Sequence, residues 1–308
     1  MNKKEIVCYN TDASRLVGKA KKVVFPKTIG EVQKLVQTSE VDIVPRGAGS
    51  GVMGGVIPDN SIVVDMSKMD KVSNFDLLNK VVHVEAGITI KELNEKLAKI
   101  GFEFPIQPNK QRISSIGGMI AMNAVGNRSM RYGLMKDWIE EIEFVNGRGE
   151  LMKTSKSDLM DICGREGITG IVVAATLKII PKIKRSASLF QSDSLEEILS
   201  IIRRLKLEKD LCLLNLFPPE VSLLLGFPEK YHLLIEFDSD RGKIRGEEYK
   251  VMSELNDKVF YTLQGEGYYD IEDGKFFFDK VENFILFLEE NKIPYLGKIG
   301  IGIIYAFF

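Results

Sequence analysis

The stretch PRGAGSG, residues 45–51, places three glycines and an arginine directly after a short apolar run, VDIV. Successive backbone N–H groups in such a loop can form a nest that holds an anion, and Arg46 adds a full positive charge. Glycine at this density is typical of an unusual turn or of a large ligand pressed against the main chain. The chemistry that this loop predicts is the binding of phosphate.

Two common phosphate-binding loops do not fit these residues. A Walker loop requires Gly-Lys-Ser/Thr, which is absent, and a Rossmann turn requires a helix directly after its glycines. Here the next element, SIVVDM, has the pattern of a strand. We therefore predict an anion-binding loop between two strands.

Two further stretches of small residues follow, SSIGGMIAMNAVG at 114–126 and GREGITGIVVAATL at 164–177. Small residues let backbone approach a flat ligand closely, and the Asn123 amide offers both a donor and an acceptor to a ring edge. Three such stretches in otherwise regular α/β sequence indicate one long ligand, with phosphate at one end and an aromatic ring at the other.

The elements around these loops are strands and capped helices. TIGEVQKLVQTSE is predicted as a helix with Thr28 as N-cap and Glu31 completing a capping box, and TIKELNEKLAKIG repeats the pattern with Thr89 and Glu92. EEIEFVNGRGELMKT is predicted as a hairpin that turns at Asn146. Residues 1–185 are therefore expected to form one α/β region.

The sequence changes character near Arg185, where it loses most of its glycine. Predicted helices (SLEEILSIIRRLK, GKIRGEEYKVMSEL, KFFFDKVENFILFLEEN) alternate with predicted strands (KYHLLIEFD, DKVFYTL, IGIGIIYAFF). The pattern indicates an α+β sandwich over 186–308, with helices on one face of an antiparallel sheet.

The composition excludes several classes of protein. Lys plus Arg number 42 and Asp plus Glu 43, so no strong basic excess is available to coat nucleic acid. No apolar stretch approaches the ~18 residues of a membrane span, and the N-terminus has no apolar core typical of a secretion signal. The three cysteines, Cys8, Cys163 and Cys212, form no disulfide framework or cluster-ligand pattern. We expect a cytoplasmic protein that passes any electrons to an external acceptor.

The chain resembles the flavin-linked oxidases of the vanillyl-alcohol oxidase / para-cresol methylhydroxylase (PCMH) superfamily, and within it the D-lactate, glycolate and D-2-hydroxyglutarate dehydrogenase branch. The resemblance covers residues 6–181 and rests on YNTDAS, VVFPKTIGEVQKLV, PRGAGSG, VEAGITIKELNEKL, IGGMIAMNAVGNRSMRYGLMKDWI and GREGITGIVVAATLKIIP, in family order. It implies an α+β protein: a two-subdomain, PCMH-type FAD-binding domain at 1–185, followed by a small α/β sandwich cap domain with an antiparallel sheet at 186–308.

The resemblance also implies which residues bind FAD. They are Pro45, Arg46, Gly47, Ala48, Gly49, Ser50 and Gly51 at the pyrophosphate, with Pro108, Ser115, Gly117, Gly118, Asn123, Gly126, Gly167, Gly170 and Ile171 along the rest of the cofactor. Covalent members of the superfamily often carry a histidine near this loop. Here the only histidines, His83 and His232, lie in strand-like runs, so we expect FAD to be held non-covalently.

The resemblance is weaker in the second domain. The branch carries Gly-His-x-Gly-Asp-Gly-Asn-x-His, whereas this chain reads GKIGIGIIY at 297–305 and stops at Phe308, where relatives continue. We therefore expect a shortened cap, and without those histidines we expect no metal site. The remaining candidates for catalysis are Arg128, Arg131, Tyr132, Lys298 and Tyr305, with Glu166 a further possible base.

Three functions stay open at this stage. The first is an FAD-dependent dehydrogenase of a small 2-hydroxy acid or alcohol with an external electron acceptor. The second is a subunit that holds FAD, with or without catalytic activity of its own, in a larger homo- or hetero-oligomeric redox complex. The third, a reductase similar to the UDP-N-acetylenolpyruvoylglucosamine reductases, is disfavoured because the serine and glutamate set of those enzymes is not found here.

Overall fold

The computed structural model describes residues 6–108 and 113–308. The chain divides into two compact units. The first contains the residues up to Gly126 together with Gly133–Lys182, and the second contains Asn127–Tyr132 and Ile183–Phe308. The sequence placed a single boundary near Arg185 and did not predict that the short segment Asn127–Tyr132 would belong to the second unit.

The helices of the described residues lie mostly where their caps and apolar spacing place them. They are α1 (Ile29–Thr38), α2 (Ile90–Ala98), α3 (Ile116–Ala121), α4 (Ser129–Tyr132), α5 (Leu195–Leu205), α6 (Pro219–Leu224), α7 (Gly246–Ser253), α8 (Leu255–Gly265) and α9 (Phe278–Glu290).

The strands are shorter and more numerous than the sequence indicated. In the first unit they are β1 (Lys19–Val24), β2 (Ile43–Arg46), β3 (Asp59–Asp65), β4 (Val72–Asp76), β5 (Val81–Glu85), β6 (Phe102–Glu103), β7 (Ile139–Val145), β8 (Leu151–Lys153), β9 (Ile171–Lys178) and β10 (Ile180–Pro181). In the second unit they are β11 (Ser186–Ser192), β12 (Leu211–Phe217), β13 (Tyr231–Phe237), β14 (Ile271–Lys275), β15 (Tyr295–Lys298) and β16 (Ile303–Phe307).

The first unit is built on two main sheets. A parallel sheet has the order β1-β3-β2, and an antiparallel sheet has the order β4-β5-β9-β7-β8. Helix α1 joins them, because Val32 packs in one buried cluster with Val64 of the parallel sheet and with Val145 and Val173 of the antiparallel sheet. The predicted hairpin is confirmed as β7–β8.

The second unit is one antiparallel sheet of order β11-β13-β12-β15-β16-β14. Along β13, Leu233 and Ile235 pack with α5 and α9, whereas Leu234 between them packs with α6 and α8. Because neighbouring side chains of a strand point to opposite faces, helices cover both faces of this sheet. The α+β class is confirmed, but the prediction of helices on one face only is wrong.

One predicted strand is a helix. DKVFYTL forms most of α8, whose buried residues Leu255, Val259 and Leu263 are spaced four apart. The β-branched and aromatic residues of this stretch favoured a strand locally. The segment nevertheless forms a helix, because the helical spacing of its apolar residues lets them pack together against one face of the sheet.

Candidate functional site

The loop at 45–51 begins at the last residues of β2, which pairs in parallel with β3 so that Arg46 lies opposite Asp65 in the register. Gly49 has a φ of +65°, a conformation that glycine adopts without cost. A Cβ at Gly49 would lie 2.2 Å from Nη2 of Arg46. The arginine side chain therefore folds back against the loop, and the N-terminal segment joins it where the Ala13 N–H donates to the Gly49 carbonyl at 3.1 Å.

The second glycine-rich stretch lies directly against this loop. A Cβ at Gly47 would be only 2.0 Å from the Ser115 Oγ, and the Ser50 and Ser114 hydroxyls are 3.4 Å apart. Ser115 caps α3 by accepting a hydrogen bond from the Gly118 N–H at 3.3 Å. At Gly47 the loop therefore packs closely against the start of α3.

The third stretch completes the arrangement. The Glu166 N–H donates to the Ala121 carbonyl at the end of α3, at 2.9 Å. A Cβ at Gly167 would lie 3.1 Å from Cγ of Pro45. The structure thus brings together three stretches that begin at residues 45, 114 and 164 of the sequence.

The other residues assigned to the cofactor by resemblance are placed as follows. A Cβ at Gly117 would lie 2.9 Å from the Ala86 Cβ, and one at Gly126 would lie 2.9 Å from the Gln107 N. The Asn123 Oδ1 accepts a hydrogen bond from the Lys136 N–H at 3.0 Å. Ile171 pairs with Val145 on β7 and belongs to the buried core, and Pro108 is half-buried at the edge of the described residues.

The donors of this loop fit a phosphate-bearing cofactor. Arg46 is 8% exposed, and its Nη1 is buried with no hydrogen-bond partner in the described part of the chain. A buried guanidinium nitrogen without a partner is costly unless an anion meets it. Its position beside a glycine loop is what a pyrophosphate requires.

Tyr9 is also part of this site, although it is not among the residues that the resemblance assigns to FAD. Its hydroxyl donates to Asp65 Oδ2 at 2.7 Å, and the Arg46 guanidinium lies 5.3 Å from the centroid of its ring. Burial, the hydrogen bond to Asp65 and the negative charge of that carboxylate raise the pKa of Tyr9 to about 12. The hydroxyl therefore stays protonated and remains a donor at neutral pH.

The candidates for catalysis lie in the second unit, except Glu166, which lies in the first. Arg128 is buried, and its Nε and Nη2 meet the same carboxylate oxygen, Oε1 of Glu236, at 2.8 and 2.7 Å. The Tyr249 hydroxyl accepts from Arg128 Nη2 at 3.0 Å and donates to Glu236. Arg128 is therefore held in a buried ion pair, which keeps its pKa well above the ordinary value despite the opposing effect of burial.

Arg131 and Tyr132 meet a second acidic residue. Arg131 forms an ion pair with Asp238, and the Tyr132 hydroxyl donates to that carboxylate. Arg185 reaches Asp238 Oδ1 at 2.7 Å. Burial and the bond to Asp238 raise the pKa of Tyr132 to about 12.

Lys298 and Tyr305 lie near one another on β15 and β16. Lys298 is 3% exposed, and its Nζ donates to Oδ1 of Asn127 at 3.1 Å and lies 5.4 Å from the centroid of the Tyr305 ring. Burial lowers the pKa of Lys298 to about 8 and raises that of Tyr305 to about 12. Neither tyrosine candidate is a base at neutral pH.

The fold and the loop agree with the flavoprotein that the sequence predicted, one with a PCMH-type cofactor domain. Residues 20–155, most of which lie in the first unit, match the family described as FAD binding domain. The predicted cofactor, FAD, is confirmed.

The curated relatives are oxidoreductases. The chain is 28% identical over 210 residues to the D-lactate dehydrogenase of Anaerostipes hadrus, which covers 63% of this chain and 44% of the relative. It is 31% identical to the D-lactate dehydrogenase of Archaeoglobus fulgidus, over 53% of this chain and 39% of the relative. It is 28% identical to the glycolate oxidase subunit GlcD of Bacillus subtilis, over 52% and 37%. The chain thus spans about two-fifths of the length of these relatives.

Among solved structures, alkyldihydroxyacetonephosphate synthase has the same fold. The comparison has a TM-score of 0.72 at 18% identity and covers 92% of this chain and 70% of that one. Within the residues that the structure describes, no helix is long and apolar enough to cross a membrane.

Proposed function

We propose that this protein is an FAD-dependent dehydrogenase of a small 2-hydroxy acid or alcohol that passes electrons to an external acceptor. The observation that carries the proposal is the convergence of three glycine-rich stretches around a buried guanidinium whose Nη1 has no hydrogen-bond partner among the residues that the structure describes. The relatives named as D-lactate dehydrogenase and glycolate oxidase subunit support the substrate class.

The residues of the first unit would hold the cofactor. Arg46 and the backbone N–H groups of Gly47–Gly51 would meet the pyrophosphate, and the small residues of the other two stretches would admit the rings. His83 and His232 lie on β5 and β13, outside the glycine-rich loops, which supports non-covalent attachment. When bound, FAD supplies the two-electron oxidation that these side chains cannot perform alone.

The second unit would supply the groups that meet the substrate. Arg128 and Arg131 already pair with carboxylates, which supports a role in holding the segment Asn127–Tyr132. Lys298 is buried beside Tyr305, and we propose it as the cation that holds a substrate carboxylate. Tyr132 and Tyr305, with pKa values of about 12, would act as hydrogen-bond donors.

A second function has its own support. The stretch Gly297–Tyr305 lacks the histidines of the dehydrogenase branch, and one relative is named as a subunit. The alternative is an FAD-holding subunit of a larger redox complex. Both proposals place the protein in a reducing compartment such as the cytoplasm, an inference supported by three cysteines that form no disulfide.

The first experiment is an anaerobic visible spectrum of the purified protein, before and after addition of D-lactate, glycolate and D-2-hydroxyglutarate in turn. Bleaching of a bound-flavin spectrum by one of them supports the dehydrogenase. A yellow protein that none of them bleaches favours the subunit. A colourless protein that cannot be reconstituted with FAD contradicts both.

A matched pair of glycine variants tests where the flavin lies. A Cβ at Gly51 or at Gly147 would meet no atom within 4 Å, so valine at either position leaves the packing of the flavin-free protein unchanged. If the loop holds FAD, Gly51→Val loses the flavin and Gly147→Val retains it, with equal thermal midpoints for the two flavin-free proteins. Full flavin in Gly51→Val would contradict the assignment of the loop.

A further inference from the structure

The Arg46 side chain is held in place by neutral contacts. Among the described residues it has no carboxylate within ion-pair distance, although Asp65 is its partner in the register of β2 and β3. Its guanidinium lies 5.3 Å from the centroid of the Tyr9 ring and against Gly49 of the loop. An arginine at this distance from an aromatic ring is attracted to its face.

Both carboxylate oxygens of Asp65 already accept a hydrogen bond. Its Oδ2 accepts the Tyr9 hydroxyl at 2.7 Å, and its Oδ1 accepts the Ser67 N–H at 2.8 Å. The carboxylate is 6% exposed, so it requires such donors. If the Tyr9 hydroxyl were removed, Arg46, which pairs with Asp65 in the register of the adjacent strand, is a cation that could replace it.

We propose that Tyr9 is a positioning residue of the cofactor site: its ring holds the Arg46 guanidinium toward the loop, and its hydroxyl keeps Asp65 from capturing that guanidinium. This inference rests on the proposed binding of FAD by residues 45–51. It assigns to the N-terminal segment a role in the affinity for the pyrophosphate half of the cofactor.

Three variants separate the two tasks of Tyr9. Tyr9→Phe keeps the ring and frees one oxygen of Asp65, so Arg46 turns toward that carboxylate and the affinity for FAD falls several-fold. Tyr9→Leu removes the ring as well, and the affinity falls about tenfold or more, as expected for the loss of a partly buried cation–π contact. The double variant Tyr9→Phe with Asp65→Asn removes the competing charge, because a neutral amide attracts the guanidinium far less than a carboxylate does. In this variant the affinity for FAD should return to within about twofold of that of the parent.

The measurement is the dissociation constant of the flavin-free full chain for FAD, followed by flavin fluorescence. ADP serves as a second probe, because it carries the pyrophosphate without the flavin, and we expect both constants to change by the same factor. Phe25→Leu is the control: its ring packs on the edge of Tyr9, with centroids 6.0 Å apart, and lies outside the contacts of Arg46. It should leave both constants unchanged.

The decisive comparison makes the Tyr9→Leu substitution in a protein that already carries Arg46→Met. If Tyr9 acts through Arg46, Tyr9→Leu has no further effect on affinity once Arg46 is replaced. Equal losses in both backgrounds, or a Tyr9→Phe loss that Asp65→Asn does not restore, would overturn the positioning role while leaving FAD binding intact. A parent protein that binds neither FAD nor ADP would instead refute the proposed function. Should Tyr9→Leu fail to fold, Tyr9→Phe and its rescue still decide the question.

Discussion

At the scale of single residues, Lys298 carries an amine that folding buries almost completely. Burial lowers its pKa from 10.5 to about 8, against the opposing charge of Asp257. Between these two pH values the unfolded chain keeps a proton that the folded chain has released. The free energy of unfolding therefore rises with pH in this window, and below pH 8 the cost of burying the charge is fully present.

Lys298→Met removes this dependence. Relative to the variant, the free energy of unfolding of the parent should rise by about 2 kcal/mol between pH 7 and 9.5. Urea unfolding at several pH values measures the difference. Lys275→Met, at an exposed position of the same sheet, is the control and should show a flat difference. A flat difference for Lys298→Met would mean that the amine titrates as a free lysine.

Glu236 neutralises the charge of the buried Arg128, so replacing Glu236 should greatly lower the free energy of unfolding. Glu236→Gln leaves the charge of Arg128 buried without its counter-ion, which costs about 3–5 kcal/mol of unfolding free energy. Urea unfolding of the second unit, followed by tyrosine fluorescence, measures the loss. In the double variant with Arg128→Met the cost should be well below the sum of the single costs. Additive costs would show that the two side chains do not interact.

At the scale of elements, the two predicted capping boxes differ. In α2, Glu92 accepts the Thr89 N–H at 3.0 Å and the Thr89 hydroxyl accepts the Glu92 N–H at 3.2 Å. In α1, the Glu31 carboxylate instead accepts the Lys27 N–H at 2.7 Å. The box of α2 is confirmed, whereas that of α1 is wrong in its second half, because the chain before Thr28 offers a nearer donor.

This difference predicts unequal costs for the two caps. Glu92→Ala should lower the free energy of unfolding by about 1 kcal/mol at pH 7, since Glu92 completes the box. Hydrogen bonds to Thr89 lower the pKa of Glu92, so the contribution is present above the ordinary glutamate pKa and is lost as the pH falls through the lowered value. Chemical unfolding at pH 7 and at pH 3 tests this, and an equal loss at both would contradict it. Glu31→Ala should cost less at pH 7.

The elements that the sequence predicted are those with strong local signals. Thr28 and Thr89 mark helix starts, and Asn146 marks a hairpin. The strand β12, Leu211–Phe217, is buried along its whole length and therefore shows no alternation of apolar and polar residues from which it could be recognised. The error at α8 has the opposite cause. The β-branched and aromatic composition of this segment led to the prediction of a strand, although the four-residue spacing of its apolar residues correctly indicated a helix.

At the scale of the whole molecule, Asn127–Tyr132 is part of the second unit while its neighbours in the chain, Gly126 and Gly133, belong to the first. Two arginines in this segment pair with acidic residues on or beside β13. We expect these pairs to protect the peptide bonds after the two arginines from cleavage by trypsin.

Trypsin therefore reports on the anchoring of this segment. We expect the parent to resist cleavage after Arg128, which is buried and paired, and Glu236→Gln to be cut there because local opening becomes frequent. Mass spectrometry of the fragments identifies the site. Glu282→Gln, which removes an exposed ion pair with Arg203, is the matched control and should stay resistant after Arg128. Equal rates of cleavage in all three proteins would show that the ion pair does not anchor the segment.

The candidate site was only partly predictable for related reasons. The glycines at 47, 49 and 117 could be singled out from the sequence alone. Their conformations and close contacts explain why glycine stands at these positions. Tyr9 and Asp65 are 56 residues apart, and nothing in either local sequence links them. The sequence also did not show which residues pair with Arg128 and Arg131. Glu236 and Asp238 are two positions apart at the end of a strand, and this spacing could have indicated that both side chains lie on the same face of the sheet.

The contact between Gly47 and Ser115 has a consequence for how these two positions can change in evolution. A Cβ at position 47 would lie 2.0 Å from the Ser115 Oγ, so it would push that hydroxyl away from the Gly118 N–H that it caps, and the two positions cannot drift independently. A lineage that loses the hydroxyl at 115 also loses the cap of α3, and only then would a larger residue at 47 become neutral. Ancestral histories of the domain should show paired substitutions at these sites, with the change at 115 arising first.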